Sequence, residues 1–261
     1  MAVQQLFYRS AVPVSATRHG DVSVRAGATF GFAARVNSVP IVAAEFAQAG
    51  AEYPIIFAGT GDSVLPAVVL GAREDENLHV DADGRWRGRY IPAFLRRYPF
   101  VFSTTTGGKS LVLSIDEAFE GVNRDGLGER LFDAEGNQTQ YLQGILRFLQ
   151  EYQAHSLRTQ AFCRQLVELD LLQPMRAQFN LGSGQQRSLG GFKVVDRARL
   201  KALPPDELAG MCQRDELECL FLHLASLRHF KDMLAQMAPA ARGGAEASEA
   251  AAEEIGGRAL H

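Results

Sequence analysis

The chain has 261 residues, with 27 Lys+Arg against 30 Asp+Glu and 46% hydrophobic content. That length is ample for a sizeable core, and the near-neutral balance excludes a protein built mainly to coat nucleic acid or an anionic membrane. Three cysteines exclude a disulfide scaffold, no long apolar run marks a membrane span, and the N-terminal residues lack the basic-then-apolar order of a secretory signal. The sequence therefore reads as a soluble, cytoplasmic globular protein, with no cofactor and no metal expected.

In chain order, the first 116 residues read as mainly β with short helices. Strands are predicted over Tyr53–Ala58, Leu65–Leu70, Asn77–Val80, Tyr98–Ser103 and Leu111–Asp116, each an aliphatic or aromatic run bounded by Gly, Asp, Asn or Ser. Short helices are predicted over Ala43–Ala51 and Ile91–Arg97, the second with Pro92 in its first turn, where the missing N–H costs little. Tyr53-Pro54-Ile55-Ile56-Phe57-Ala58 returns as Tyr98-Pro99-Phe100-Val101-Phe102-Ser103. Each copy follows a helix and precedes a Gly-containing turn and another strand. The echo suggests one unit used twice, its strands in one sheet, although Tyr-Pro also simply starts edge-tolerant strands.

From residue 137 the period changes. Asn137 and Gln140 form a capping pair, and Leu142, Ile145, Leu149 and Tyr152 follow at helical spacing. The pattern runs to about Leu172, with a break predicted near Ala154–Thr159, where apolar residues thin out. A hairpin follows over Met175–Leu181 and Ser188–Val195, around Gly182-Ser183-Gly184. Asp196 caps a short helix, another starts near Asp206, and Asp215 with Glu218 caps a last, largely apolar and buried one. Residues 239–261, rich in Ala, Gly and Glu, read as a disordered tail that cannot bury enough apolar area to offset chain entropy.

The chemical motifs reduce largely to turns and core. Thr104–Ser110 ends like a phosphate loop, but the strand after Lys109 denies it the helix N-terminus that phosphate needs. Asp81-Ala82-Asp83-Gly84 and Asp133-Ala134-Glu135-Gly136 have the residues of tight turns and too few ligands for calcium. Cys212, Cys219 and His223 would share a face only on a continuous helix, which the cap at Asp215 interrupts. No nucleophile elbow occurs. Among the six histidines, His19, in the polar stretch His19-Gly20-Asp21, is expected to face solvent, which makes His19 and Asp21 the weak catalytic candidates. The most distinctive surface feature is Arg85-Trp86-Arg87-Gly88-Arg89-Tyr90 with Arg96-Arg97, five of the 27 basic residues within 13 positions. Guanidinium groups fork onto carboxylate or phosphate and aromatic faces stack on sugars or bases. Trp86, Arg87, Arg89, Tyr90, Arg96 and Arg97 are therefore the candidate ligand-binding residues; the plain alternative is a solvated turn anchored by Trp86.

The same stretches resemble the SapC family of bacterial proteins, over nearly the whole span to about Phe230. The resemblance is carried by Val12-Pro13-Val14-Ser15, Arg18-His19-Gly20, Asn37-Ser38-Val39-Pro40, Glu52–Ala58 and Leu70-Gly71. Its strongest part is Asn77–Trp86 with Tyr90–Phe100, followed by Gly128–Asp133, Leu149–Tyr152, Leu189–Phe192 and His223–Leu227. It implies a link to bacterial surface layers and to genes near TonB-dependent receptors, and it transfers no catalytic residues.

These readings converge on one α+β domain over residues 1–238, with an antiparallel sheet from the β-rich part (1–136) packed against long helices of the rest (137–238). The function expected is a non-catalytic binding or accessory protein of bacterial surface or outer-membrane uptake systems, with a protein partner or an anionic or glycan ligand and no nucleic acid. The alternative is an enzyme acting on an acidic or glycosylated small molecule. Oligomeric state is left open.

Overall fold

A computed structural model describes residues 6–104, 111–180 and 186–237. The strands in chain order are β1 (Ala11–Pro13), β2 (Ser23–Val24), β3 (Ser38–Pro40), β4 (Ile55–Ala58), β5 (Leu65–Val69), β6 (Phe100–Thr104), β7 (Leu111–Asp116), β8 (Val122–Asn123), β9 (Glu129–Arg130), β10 (Leu172–Asn180) and β11 (Gln186–Val195). The α-helices are α1 (Ala16–His19), α2 (Phe46–Ala49), α3 (Ala93–Arg96), α4 (Gln140–Glu168), α5 (Arg197–Lys201), α6 (Pro205–Gln213), α7 (Glu216–Ser226) and α8 (His229–Met237). The class is α+β, with antiparallel sheets in the first half and a long helix plus shorter ones in the second. No helix among the described residues is long and apolar enough to cross a membrane.

The single sheet expected from the sequence is instead several. One is five-stranded in the order β10-β11-β4-β5-β3, a second runs β1-β7-β6, and a third, small one runs β8-β2-β9. The two Tyr-Pro copies each build an antiparallel pair, β4 with β5 and β6 with β7, but in different sheets. The five-stranded sheet recruits the β10–β11 hairpin of the second half, whose Phe192 and Lys193 pair with Ala58 and Phe57. Asn77–Val80 is not a strand. The Asn77 side chain donates to the Ala33 carbonyl at 3.0 Å and accepts the His79 N–H at 2.9 Å, so it closes a local turn in place of a ladder; only Val80 bridges to Trp86.

The long helix α4 has 29 residues, about 43 Å at 1.5 Å each, and it does not break. Its cap is Thr139, whose hydroxyl accepts the Leu142 N–H, rather than Asn137, which sits in the turn closed by Asp133. The reason for its length lies in the core. Leu142 and Leu149 pack with Tyr98, Phe100, Ile115 and Leu131. Phe162, Cys163 and Leu166 pack with Phe46, Tyr53, Ile55 and Phe57. One rod thus spans two apolar clusters, and the thinning of apolar residues at Ala154–Thr159 is the stretch between them. Tertiary packing, not local propensity, keeps that stretch helical.

In the second half, Asp196 caps α5 as expected, accepting the N–H groups of Ala198 and Arg199. The side chain of Asp215 makes no cap hydrogen bond, a correction to its predicted role; Arg214 pairs with Glu216 at 2.8 Å instead. The last predicted helix, α7, buries only Leu220, His223 and Ser226 and leaves Phe221 49% exposed, so it covers the sheet from one side. Residues 239–261, the Gly182–Gly184 turn and most of the Thr104–Ser110 segment lie outside the described residues.

Candidate functional site

The Arg/aromatic segment begins with a turn. Asp81 Oδ1 accepts the N–H groups of Asp83 and Arg85, and Gly84 takes φ +76, which glycine adopts without penalty. The chain then runs with a period of two: Arg85, Arg87 and Arg89 are exposed, while Trp86, Gly88 and Tyr90 turn inward. The indole N–H of Trp86 donates to the Tyr90 carbonyl at 3.0 Å and to the Tyr53 hydroxyl at 3.2 Å. Its ring stacks on His79 at 5.8 Å and meets Phe30 edge-on at 5.8 Å. Burial holds the His79 imidazole below its ordinary pKa, with Glu52 opposing, and raises the Tyr53 phenol. Trp86 is therefore an anchor of this loop rather than an open stacking platform.

Glycine at position 88 is required for that anchoring. A Cβ there would lie 2.7 Å from Glu52 Oε2 and 2.8 Å from Trp86 Nε1, and closer still to the Tyr53 hydroxyl. Glu52 also accepts the Arg89 N–H at 2.8 Å. Gly88→Ala is expected to cost about 1–3 kcal/mol by overpacking and to shift the fluorescence of Trp86, the single tryptophan; unchanged urea denaturation and emission spectra would disprove this.

The six predicted ligand-binding residues do not form one face. Arg87, Arg89 and Arg96 are exposed. The Arg96 guanidinium lies over Tyr90 at 5.8 Å and Phe148 at 5.3 Å, and its Nε donates to the Ile91 carbonyl at 3.0 Å. Arg97, next in sequence, is only 4% exposed, a correction to its place in a surface patch. The turn of α3 sends it inward, with Phe94 at 4.2 Å and Tyr152 at 5.2 Å from its guanidinium carbon.

Tyr90 and Arg96 border a groove of about 360 Å³ whose opposite wall is α4, through Phe148, Glu151, Tyr152 and His155. Glu45 organises this groove. Its Oε1 accepts the Tyr90 hydroxyl at 2.6 Å and the Ala93 N–H at 2.7 Å, and its Oε2 accepts the Val42 N–H at 2.9 Å. Burial, and then the Glu45 carboxylate, hold the Tyr90 phenol above its ordinary pKa. Sequence reasoning missed Glu45 and the α4 residues because they lie about fifty residues on either side of the Arg/aromatic segment. The α4 residues that face the site, Phe148, Glu151, Tyr152 and His155, span the end of the clear helical pattern and the start of the stretch read as a break, and only His155 lies within that stretch.

The two catalytic candidates are not brought together. His19, expected at the surface, is fully buried. Its Nδ1 accepts the Ser15 N–H at 3.2 Å, and Nε2 lies 3.2 Å from Glu117, whose carboxylate is forked by Arg18. Asp21 is exposed and pairs with Arg124. Among the described residues no three His, Cys, Asp or Glu side chains are placed to hold a metal ion. Cys212 and Cys219 lie on separate helices, α6 and α7.

No curated protein and no solved structure matches the chain. The sequence pattern described as SapC matches residues 14–233, a span that takes in the Trp86 loop, α3, the whole of α4 and both walls of the groove. The chain belongs to the SapC family.

Proposed function

We propose that this protein is a non-catalytic binding protein that takes a carboxylate-rich ligand on the ridge formed by Arg87, Arg89 and Arg96. The observation that carries the reading is that these three guanidinium groups are exposed and none of them forms an ion pair among the described residues, whereas Arg18, Arg124, Arg199 and Arg214 do. A guanidinium presents a rigid fork that matches carboxylate. The inward Trp86, Gly88 and Tyr90 hold the ridge in shape. The acid/base pair that an enzyme reading would use, His19 with Asp21, supports it less well, because one is buried and the other is engaged with Arg124. On this reading the ligand belongs to the bacterial surface or to an outer-membrane uptake system, the setting that the family resemblance implies.

Fluorescently labelled oligo-glutamate and oligogalacturonate separate a peptide source of the carboxylates from a glycan source. Saturable anisotropy changes that weaken with salt are expected, with at least a tenfold loss for the triple variant Arg87→Ala, Arg89→Ala, Arg96→Ala and none for the remote Arg164→Ala. Equal binding by the two variants, or no binding by the native chain, would overturn the proposal.

A further inference from the structure

Beyond that ridge, we infer that the cavity beneath Tyr152 is a pocket for a small monocarboxylic acid, with Arg97 as its anchor. The guanidinium of Arg97 stays charged at any physiological pH, and it is 4% exposed. Its Nε and Nη2 have no hydrogen-bond partner among the described residues. Aromatic faces surround it, Phe94 at 4.2 Å, Tyr152 at 5.2 Å and Tyr8 at 6.0 Å. Ring faces attract a cation, and the Tyr8 hydroxyl, which donates to the Phe100 carbonyl at 2.7 Å, offers the guanidinium a neutral oxygen, but none of these groups is an anion.

The nearby carboxylates are engaged elsewhere. Asp116 accepts the N–H groups of Arg9, Ser10 and Ala118 and the hydroxyl of Tyr98. Glu45 accepts Tyr90, Ala93 and Val42. A buried guanidinium without an anion is costly, and it fits a site whose anion arrives with the ligand.

Arg97 lines a cavity of about 200 Å³. Ser156 and Gln160 of α4 line it too, and bring further donors for a carboxylate. Thr159, between them, already donates to the His155 carbonyl and accepts the Ala43 N–H. The remaining walls include Pro40, Ile41 and Leu65, which call for a hydrocarbon body. The chemistry is a carboxylate head on Arg97 and a short apolar tail along the β3 end, in a space suited to a short-chain acid rather than a polymer. Burial pushes the Tyr152 phenol up to about 12, so it meets the ligand as a neutral group.

Calorimetric titration of the full chain with hexanoate, hexanol and inorganic phosphate tests this. Saturable one-to-one binding of hexanoate is expected, at least tenfold tighter than hexanol, which lacks the charge, and than phosphate, which lacks the tail. Arg97→Met should lower hexanoate affinity at least tenfold. Ser156→Leu, which fills the cavity and leaves the guanidinium in place, should abolish binding while the thermal midpoint is retained, which separates loss of the pocket from loss of the fold. Absence of saturable hexanoate binding, or binding unchanged by Ser156→Leu, would overturn the inference and leave Arg97 a structural cation held by its aromatic neighbours. Phosphate binding as tight as hexanoate would overturn the assignment of an apolar tail. Failure at the exposed ridge leaves this result untouched, because neither Arg97 nor Ser156 belongs to it.

Discussion

Asp116→Ala is expected to destabilise the protein by about 3–5 kcal/mol, since hydrogen bonds to a charged group contribute ~1.5–3 kcal/mol each and a buried donor left without a partner adds its desolvation cost. Asp116 is fully buried at the end of β7. Its Oδ2 accepts the Arg9 N–H at 2.8 Å and the Tyr98 hydroxyl at 3.2 Å, and its Oδ1 accepts the N–H groups of Ser10 at 2.9 Å and Ala118 at 3.1 Å. One carboxylate thus ties the segment leading into β1 to the turn after β7. Asp116→Asn keeps one acceptor oxygen but turns an NH₂ toward N–H donors, and should fall between alanine and the native residue. Urea denaturation checks both. A midpoint for Asp116→Ala within error of the native one would show that the carboxylate is dispensable. Amide exchange should also speed up first at Arg9 and Ser10, because they lose their acceptor.

Acidification from pH 6.5 to 4 is expected to remove about 3 kcal/mol of stability through a single histidine. His223 is fully buried on α7, where its Nε2 accepts the Val195 N–H at 3.1 Å and its ring lies 5.0 Å from Phe57. The accepting Nε2 places the proton on Nδ1, so the neutral ring is the folded form. Burial pushes its pKa down to about 4, against roughly 6.5 in an unfolded chain. The unfolded state therefore binds the proton first. The contribution of His223 is fully present above about pH 6.5 and is lost as pH falls through the folded value near 4, and a shift of that size is worth about 3 kcal/mol at ~1.36 kcal/mol per pH unit. His79, also lowered by burial, acts with the same sign. Glu117, whose carboxyl is held low chiefly by its hydrogen bond from Arg18, loses its contribution only at lower pH. His223→Gln retains an acceptor for Val195 and does not titrate. Its stability should vary much less between pH 6.5 and 4.5, and a parallel decline of the two proteins would exclude His223 as the cause.

The elements were legible wherever local chemistry set them. Leu111–Asp116 was predicted to the residue, and β4, β5, β6, the β10–β11 hairpin and the Asp196 cap came within a few positions. These follow from apolar runs, turn residues and a carboxylate beside free N–H groups, all of which act within a few residues. Asn77–Val80 misled because an aliphatic run was answered by the Asn77 side chain rather than by a neighbouring strand. The site was legible only as a string. Arg85 to Tyr90 alternates in sequence and in exposure, whereas Arg96 and Arg97 are adjacent and equally basic, yet one lies in solvent and the other in the core.

By itself, then, the sequence determined the α+β class, the family and the position of the Arg/aromatic segment, because each depends on residue types at short spacing. Only the tertiary structure decided that the sheet is several sheets and that α4 runs unbroken from one apolar cluster to the other. It also decided that Trp86 anchors a loop, that His19 is buried, and that Arg97 meets α4 across a cavity. Those outcomes depend on partners well outside a local window, from Tyr53 for Trp86 to Glu117 for His19 and Tyr152 for Arg97. Burial and charge pairing are properties of the assembled neighbourhood, so no spacing rule within the chain could specify them.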